Sequence, residues 1–249
     1  MPTLDAFLTD VRACTRCAPH LPHGVQPVFQ FHPSAPILIA GQAPGARVHA
    51  SGVPFDDASG ARLRAWLGVD RDTFYDPTRI AILPMGFCYP GTGKSGDLPL
   101  RPECAPAWRE AFMQRFERLS LVIVLGSYAM DYHLGTGKTP LTRVVEAWRE
   151  HWPQAFPLPH PSPRNNRWLV RNPWFQQGGV TLNGHRYTVR VSGVEKHLFF
   201  VHYGQCVAYD FAVVLQHAEH RYGPPRDCPR PQLLRVRVYD EQDDEQVCP

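Results

Sequence analysis

No stretch of this sequence approaches the roughly 20 consecutive apolar residues that a membrane-spanning helix needs. The longest apolar runs, Ile37 to Ala40 and Leu121 to Leu125, have the length of buried strands. The first residues, MPTLDAFLTDVRAC, show no apolar core followed by a small-residue cleavage site, so no secretory signal is read there. Charge of one sign is scarce too. The formal net charge is +3, from 26 Lys and Arg against 23 Asp and Glu, which does not by itself imply a polyanionic partner. Asp240, Glu241, Asp243, Asp244 and Glu245 bias that sum from near the end, whereas arginines gather between Arg164 and Arg171. What is plentiful is Pro, at 26, and Gly, at 19, which argues for many loops rather than a helix bundle. With 43% hydrophobic, 20% charged and 11% aromatic residues, the 249 residues describe one globular domain, or a domain plus an extension.

A disulfide framework is also missing. Seven cysteines, an odd number, without an export signal suggest a reducing, cytoplasmic compartment in which thiols serve as metal ligands or small core residues. Cys14 and Cys17 form a CxxC, and fifteen residues separate Cys88 from Cys104. Two such pairs suffice for a tetrahedral metal or cluster site, because a two-residue gap lets one tight turn present two sulfurs while a loop supplies the others. The alternative is a chance CxxC beside two unrelated buried cysteines. Cys206, Cys228 and Cys248 lack paired spacing and read as structural or incidental.

Periodicity alternates along the chain. Residues 35–40, 79–83, 120–125 and 155–158 read as buried strands. Residues 61–67, 105–119 and 141–148 read as helices, the first presenting Leu63, Trp66 and Leu67 on one face. Strands separated by helices imply a parallel sheet covered on both faces. Ligands bind such sheets beyond the carboxyl ends of the strands. The segments there are GQAPGARVHASGVPFDD, PMGFCYPG, GSYA and HPSPRNN. Beyond residue 177 the pattern changes: Asn183-Gly184 is a hairpin signal, and residues 178–249 read as an extension of unassigned role after a domain spanning 1–177.

Two segments tempt a phosphate-loop reading, GTGKS at 91–95 and GTGKT at 135–139. Cys88 and Tyr132 stand where that loop needs its first glycine, so both read as ordinary turns. GQAPG, Gly41 to Gly45, follows a strand and lets backbone amides approach a ligand closely. HPSPRNN, His160 to Asn166, follows another and offers an imidazole, a hydroxyl, a guanidinium and two amides. His32-Pro33-Ser34 precedes the first strand and belongs to the opposite edge.

In this order the segments resemble the uracil-DNA glycosylase superfamily over roughly residues 10–175. GQAPG, GVPF and HPSPRN resemble the single-strand-selective monofunctional branch, whose motifs read GMNPG, GVPFGE and HPSPRN. The cysteine pattern resembles the iron-sulfur branch known as family 4, whose first motif reads GEAPG. The resemblance implies a three-layer α/β/α sandwich with a short central parallel sheet. It implies a monomeric, monofunctional DNA base-excision repair glycosylase that hydrolyses the N-glycosidic bond of uracil or another deaminated base. Cys14, Cys17, Cys88 and Cys104 would then hold a structural 4Fe-4S cluster, with zinc as the second choice. Phe55 matches the aromatic that stacks on the extruded base, and His160 the histidine that donates to its carbonyl. Gly41 and Gln42 fall at the base, Gln42 through its backbone amide and its side chain at the water. Ser162, Arg164 and Asn165 fall on the DNA, Arg164 as a wedge or a phosphate contact.

The departures are specific. Gln42 replaces the carboxylate of GEAPG, Ala43 replaces the asparagine of GMNPG, and IAILPMGFC has no asparagine to read the edge of the base. Asp56 and Asp57 follow Phe55, and a carboxylate there would orient water or stabilise a cationic sugar. Asp57 or Ser59 reads equally well as a helix cap. The alternative to an enzyme is a glycosylase-fold module that binds damaged or single-stranded DNA without releasing the base.

Overall fold

The structure is a computed structural model that describes residues 3–177 except residue 95, and beyond them the short strands named below. It divides into two compact units, Met1–Trp66 with Asp70–Pro163, and Leu67–Val69 with Arg164–Pro249. In chain order the first runs α1 (Leu4–Arg12), β1 (Ile37–Ala40), α2 (Ala46–Ser51), α3 (Ala58–Leu67), α4 (Arg71–Tyr75) and β2 (Ile80–Ile82). It continues through β3 (Thr92–Gly93), β4 (Gly96–Asp97), α5 (Cys104–Met113), β5 (Leu121–Leu125), α6 (Ser127–Leu134), α7 (Leu141–Glu146) and β6 (Ala155–Leu158). None of the described helices is long and apolar enough to cross a membrane.

The four anticipated strands form one parallel sheet in the order β2-β1-β5-β6. Ile37 stands opposite Ile80 on one side and Leu121 on the other, and Val122 opposite Ala155. Side chains alternate between faces along a strand. Leu38 and Ala81 join Phe7, Val11, Phe29, Phe31, Phe87 and Phe112 in one core cluster, to which α1 and α5 contribute. Ile37, Ile39, Ile80 and Ile82 on the other face are equally withdrawn from solvent. Burial on both faces is why these strands read as continuous apolar runs, and it makes the three-layer α/β/α sandwich the observed architecture.

The helix expected over 105–119 stops at Met113. The Glu117 and Ser120 amides are taken by the carbonyls of Pro33 and Pro36, 2.9 and 2.8 Å away, and this turns the chain into β5. Phe116 still reaches the core from outside the helix, 5.0 Å from Phe31. The helix expected over 141–148 is divided between α7 and a 3-10 turn at Trp148–Glu150.

The strand order reverses between β1 and β5, and the carboxyl ends of the strands at such a switch point are where open parallel sheets bind ligands. At the neighbouring end of β2 the backbone is held from below by Arg109 of α5, only 1% exposed. Its Nη2 donates to the carbonyls of Leu83 and Pro84, both at 2.8 Å. Burial lowers its pKa to about 10, which leaves the guanidinium charged at neutral pH.

In the second unit α8 (Asn166–Arg171) and α9 (Pro173–Gln177) join Trp168, Trp174 and Phe175 edge to face. Further strands form an antiparallel sheet: β7 (Tyr187–Val191), β8 (Val194–His197), β11 (Val238–Asp240) and β12 (Asp243–Gln246), with β9 (Phe199–Phe200) and β10 (Ala208–Tyr209) paired separately. Asn183-Gly184, Cys206, Cys228 and Cys248 lie outside the described residues.

Arg109→Leu is expected to take the donor from one buried and one half-buried carbonyl and to cost about 2 kcal/mol or more. Chemical denaturation reads this as a lower midpoint with an unchanged slope. An unchanged midpoint would show that the guanidinium does not hold the end of β2.

Candidate active site at the strand ends

The segment after β1 is fastened to the segment after β2 by main-chain pairs. Met85 N–H donates to the Gly41 carbonyl at 2.8 Å and Gly86 N–H to the Gln42 carbonyl at 2.9 Å. GQAPG therefore lies beside PMGFC as a continuation of the sheet edge. Against it rests Phe55, whose ring carbon Cζ is 3.6 Å from where a side chain on Gly41 would begin.

Phe55 is the only non-glycine among the described residues with a left-handed backbone, at φ 55°. Such a conformation costs on the order of 1–3 kcal/mol and persists where its surroundings enforce it. Gly60, in the first turn of α3, is what permits it here. A Cβ on Gly60 would stand 1.7 Å from the Phe55 carbonyl oxygen, so the turn closes only over a bare backbone. Asp57 caps the same helix, its Oδ1 accepting from Gly60 N–H at 2.9 Å. Asp56 pairs instead with Arg71 at 3.1 Å.

His160 follows β6, its Cβ 3.5 Å from where a side chain on Gly126, at the end of β5, would begin. The imidazole and Phe55 rings stand 6.5 Å apart with their planes inclined by 32°. That separation is too short for a third ring stacked at about 3.5 Å from each, but it lets one planar heterocycle rest on the Phe55 face while the imidazole reaches its edge. Ser162 N–H donates to His160 Nδ1 at 3.2 Å, which assigns the ring proton to Nε2. Burial holds the imidazole below its ordinary pKa, against the pull of the Asp57 and Asp97 carboxylates. At neutral pH it is an uncharged donor with a fixed tautomer.

The loop carrying His160 is braced from α3. Arg62 Nη1 donates to the carbonyls of Pro161 and Ser162 at 3.1 and 3.3 Å. Sequence reading had no signal for this clamp, which joins residues about a hundred positions apart. Nor had it one for Gly60 or Asp97. Arg164 and Asn165 lie on the 3-10 turn Pro163–Asn165 that follows, Arg164 exposed. His32 stands before β1, its Nδ1 2.6 Å from Ser34 Oγ, at the amino end of that strand.

Cys14, Cys17, Cys88 and Cys104 line one small, partly open recess, with Val11 and Trp108 among its walls. The reason is local. Phe7 packs edge to face on Phe112 at 4.8 Å, which docks α1 on α5 and brings the turn carrying Cys14 and Cys17 to the helix start carrying Cys104. All four are free thiols. Trp108 Nε1–H donates to Cys14 Sγ and Phe87 N–H to Cys104 Sγ, each at 3.3 Å. Burial pushes Cys88 up to about 11 and Cys104 up to about 12, and raises Cys17 as well. Among the described residues no three His, Cys, Asp or Glu have the mutual spacing of a bound metal ion.

Gly60→Ala is expected to force the Phe55 turn apart, lowering stability by about 1–3 kcal/mol. Thermal denaturation checks this; a variant melting with the wild type would show that the close approach is dispensable.

The geometry agrees with an independent comparison. Residues 28–179 match the family model described as Uracil DNA glycosylase superfamily, a span that contains the whole sheet, the Phe55 turn and the His160 loop. The chain belongs to the uracil DNA glycosylase superfamily.

Proposed function

We propose that this protein excises uracil or another deaminated base from DNA by hydrolysis of the N-glycosidic bond, leaving an abasic site. Superfamily membership points to DNA glycosylase-type chemistry. The observation that carries the finer reading is the pair of rings, Phe55 and His160, 6.5 Å apart on one rim. A glycosidic bond inside a base stack is out of reach, so the nucleotide must be extruded. In the crevice Phe55 offers the base a flat apolar face, with Gly41 and the Gln42 backbone at its edge.

His160 then does the electrostatic work. As the C1′–N bond lengthens, negative charge collects on the leaving base, and a prepositioned Nε2–H beside its carbonyl oxygen stabilises that charge where water is excluded. Ser162 and Arg62 hold the donor in position beforehand. The companion water is oriented by the Gln42 side chain and by Asp57, whose helix-capping bond fixes its carboxylate near the imidazole. No lysine stands in the motifs to attack C1′, so the reaction stops at the abasic site. Ser162, Arg164 and Asn165 serve the DNA backbone or the gap in the stack.

The four thiols suit an iron-sulfur cluster. They share one recess, and two of them receive N–H donors, as cluster sulfurs do. Cys14, Cys17, Cys88 and Cys104 would hold a 4Fe-4S cluster, which would tie the turn after α1 to the segment after β2 and to the start of α5. Zinc is the second choice for the same donors. A second reading of the whole protein, a module that binds lesions without releasing the base, is favoured by Gln42 and Ala43 in the first motif.

Incubation with oligonucleotides carrying uracil, hypoxanthine or xanthine, single- and double-stranded, followed by alkali, separates the two readings. The enzyme predicts cleavage with at least one base, reduced about 100- to 1,000-fold in His160→Ala. Lesion binding without product would establish the module. Protein purified without oxygen is expected to be brown, with visible absorbance lost in Cys14→Ser. Colourless protein with one equivalent of zinc would replace the cluster.

A further inference from the structure

The first motif lacks the carboxylate that related sequences place at its second position, and of the aspartates beside Phe55 only Asp57 is left to orient a water, with one of its oxygens already engaged. Asp56 is drawn to Arg71, and Asp57 is committed through Oδ1 to the start of α3. A third carboxylate approaches the same rim from a segment with no apparent chemistry, the GTGKSGD stretch whose glycines resemble a phosphate loop without its spacing. We infer that Asp97, at the end of this hairpin, is a catalytic residue, the carboxylate that accepts a proton from the attacking water. The inference rests on the base-release reading above and supplies the water-activating group that this reading needs.

Three observations place Asp97 there. First, β3 and β4 pair antiparallel with Thr92 opposite Asp97, which fixes that residue at a strand end. Second, Asp97 Oδ2 lies 3.9 Å from where a side chain on Gly45 would begin, so the carboxylate sits over the last residue of GQAPG. Three residues on, Leu100 Cβ comes within 3.1 Å of where one on Gly86 would begin, and Gly86 is the residue hydrogen-bonded to Gln42. The chain from 97 to 100 thus runs alongside the first motif. Third, Asp97 and Asp57 are the two carboxylates whose fields reach the His160 imidazole.

The hairpin is built to hold this position. Leu98 N–H donates to the Gly91 carbonyl at 2.8 Å, and the Tyr89 hydroxyl bonds to Thr92 Oγ1 beneath it. Gly91 has φ 99° and approaches Pro22 so closely that an added Cβ would stand 2.8 Å from its Cγ. These contacts hold the backbone that carries Asp97, whose side chain is exposed at the rim, so that the residue is delivered by a paired hairpin rather than by a loose loop.

The step balances. The water oxygen bonds to C1′ while the C1′–N bond breaks and its electron pair leaves on the base, where His160 meets the charge. The water proton passes to Asp97 and returns to the base nitrogen or to solvent, giving the free base and a 1′-hydroxyl sugar.

The test is single-turnover release from single-stranded oligonucleotides carrying one uracil, hypoxanthine or xanthine. Asp97→Asn is expected to lower the rate about 100-fold or more. Its dissociation constant for the same strand with a tetrahydrofuran abasic analogue, and its melting temperature, should stay within threefold and within two degrees or so of wild type. Asp97→Glu should recover part of the rate, and Asp56→Asn should keep nearly all of it. A rate within threefold of wild type in Asp97→Asn overturns the role of Asp97 and leaves the base-release reading standing. Wild-type protein that releases none of the three bases overturns both. A loss in Asp97→Asn that appears equally in binding or in melting temperature shows a structural residue and overturns the catalytic role.

Discussion

The active rim depends on one close approach, the Phe55 carbonyl lying against the bare backbone of Gly60. That contact permits a large aromatic residue to hold a left-handed turn, and the turn sets its ring against Gly41 and His160, with the buried Phe74 edge to face behind it. The strain is of a size that only an over-determined neighbourhood sustains. Asp57 capping α3, the Arg62 bonds from the next turn of the same helix, and the Gly41 contact are that neighbourhood. A single short helix thereby fixes both the Phe55 ring and the loop that carries His160.

The electrostatics follow from the same arrangement. An imidazole facing two aspartates in water would be drawn toward its protonated form. Burial opposes them and prevails, and the Ser162 amide decides which nitrogen keeps the proton. A neutral donor suits a leaving group whose charge appears only as the bond breaks, because the site then carries no standing cation to desolvate. In the proposed reaction, the two carboxylates whose charge acts on this imidazole would suit the positive charge that develops on the sugar.

Much of this was legible in the sequence, and the reasons are physical. Strands buried on both faces leave unbroken apolar runs, so 35–40, 79–83, 120–125 and 155–158 stood out, each within two residues of an observed strand, and the strand-end rule gave GQAPG and HPSPRN their place. The four paired cysteines were legible through spacing, and they line one recess. What escaped were relations between distant positions. Arg62 lies far in the chain from the loop it braces, Arg109 reads as one more exposed charge on an amphipathic helix, and Gly60 looks dispensable until the Phe55 carbonyl is placed above it. Asp97 was hidden by its setting, since the glycines that shape its hairpin suggest a phosphate loop and, once that is rejected, nothing at all.

The central claim is that an extruded base enters between Phe55 and His160. It is tested most directly by a crystal structure of the protein with an oligonucleotide carrying one 2′-fluoro-arabino-uridine, whose fluorine resists cleavage by disfavouring a cationic sugar. The account predicts the base out of the stack, lying on the Phe55 ring, with His160 Nε2 within hydrogen-bond distance of a base carbonyl. A complex with the base still stacked in the strand, or seated elsewhere while the two rings remain in place, would contradict it.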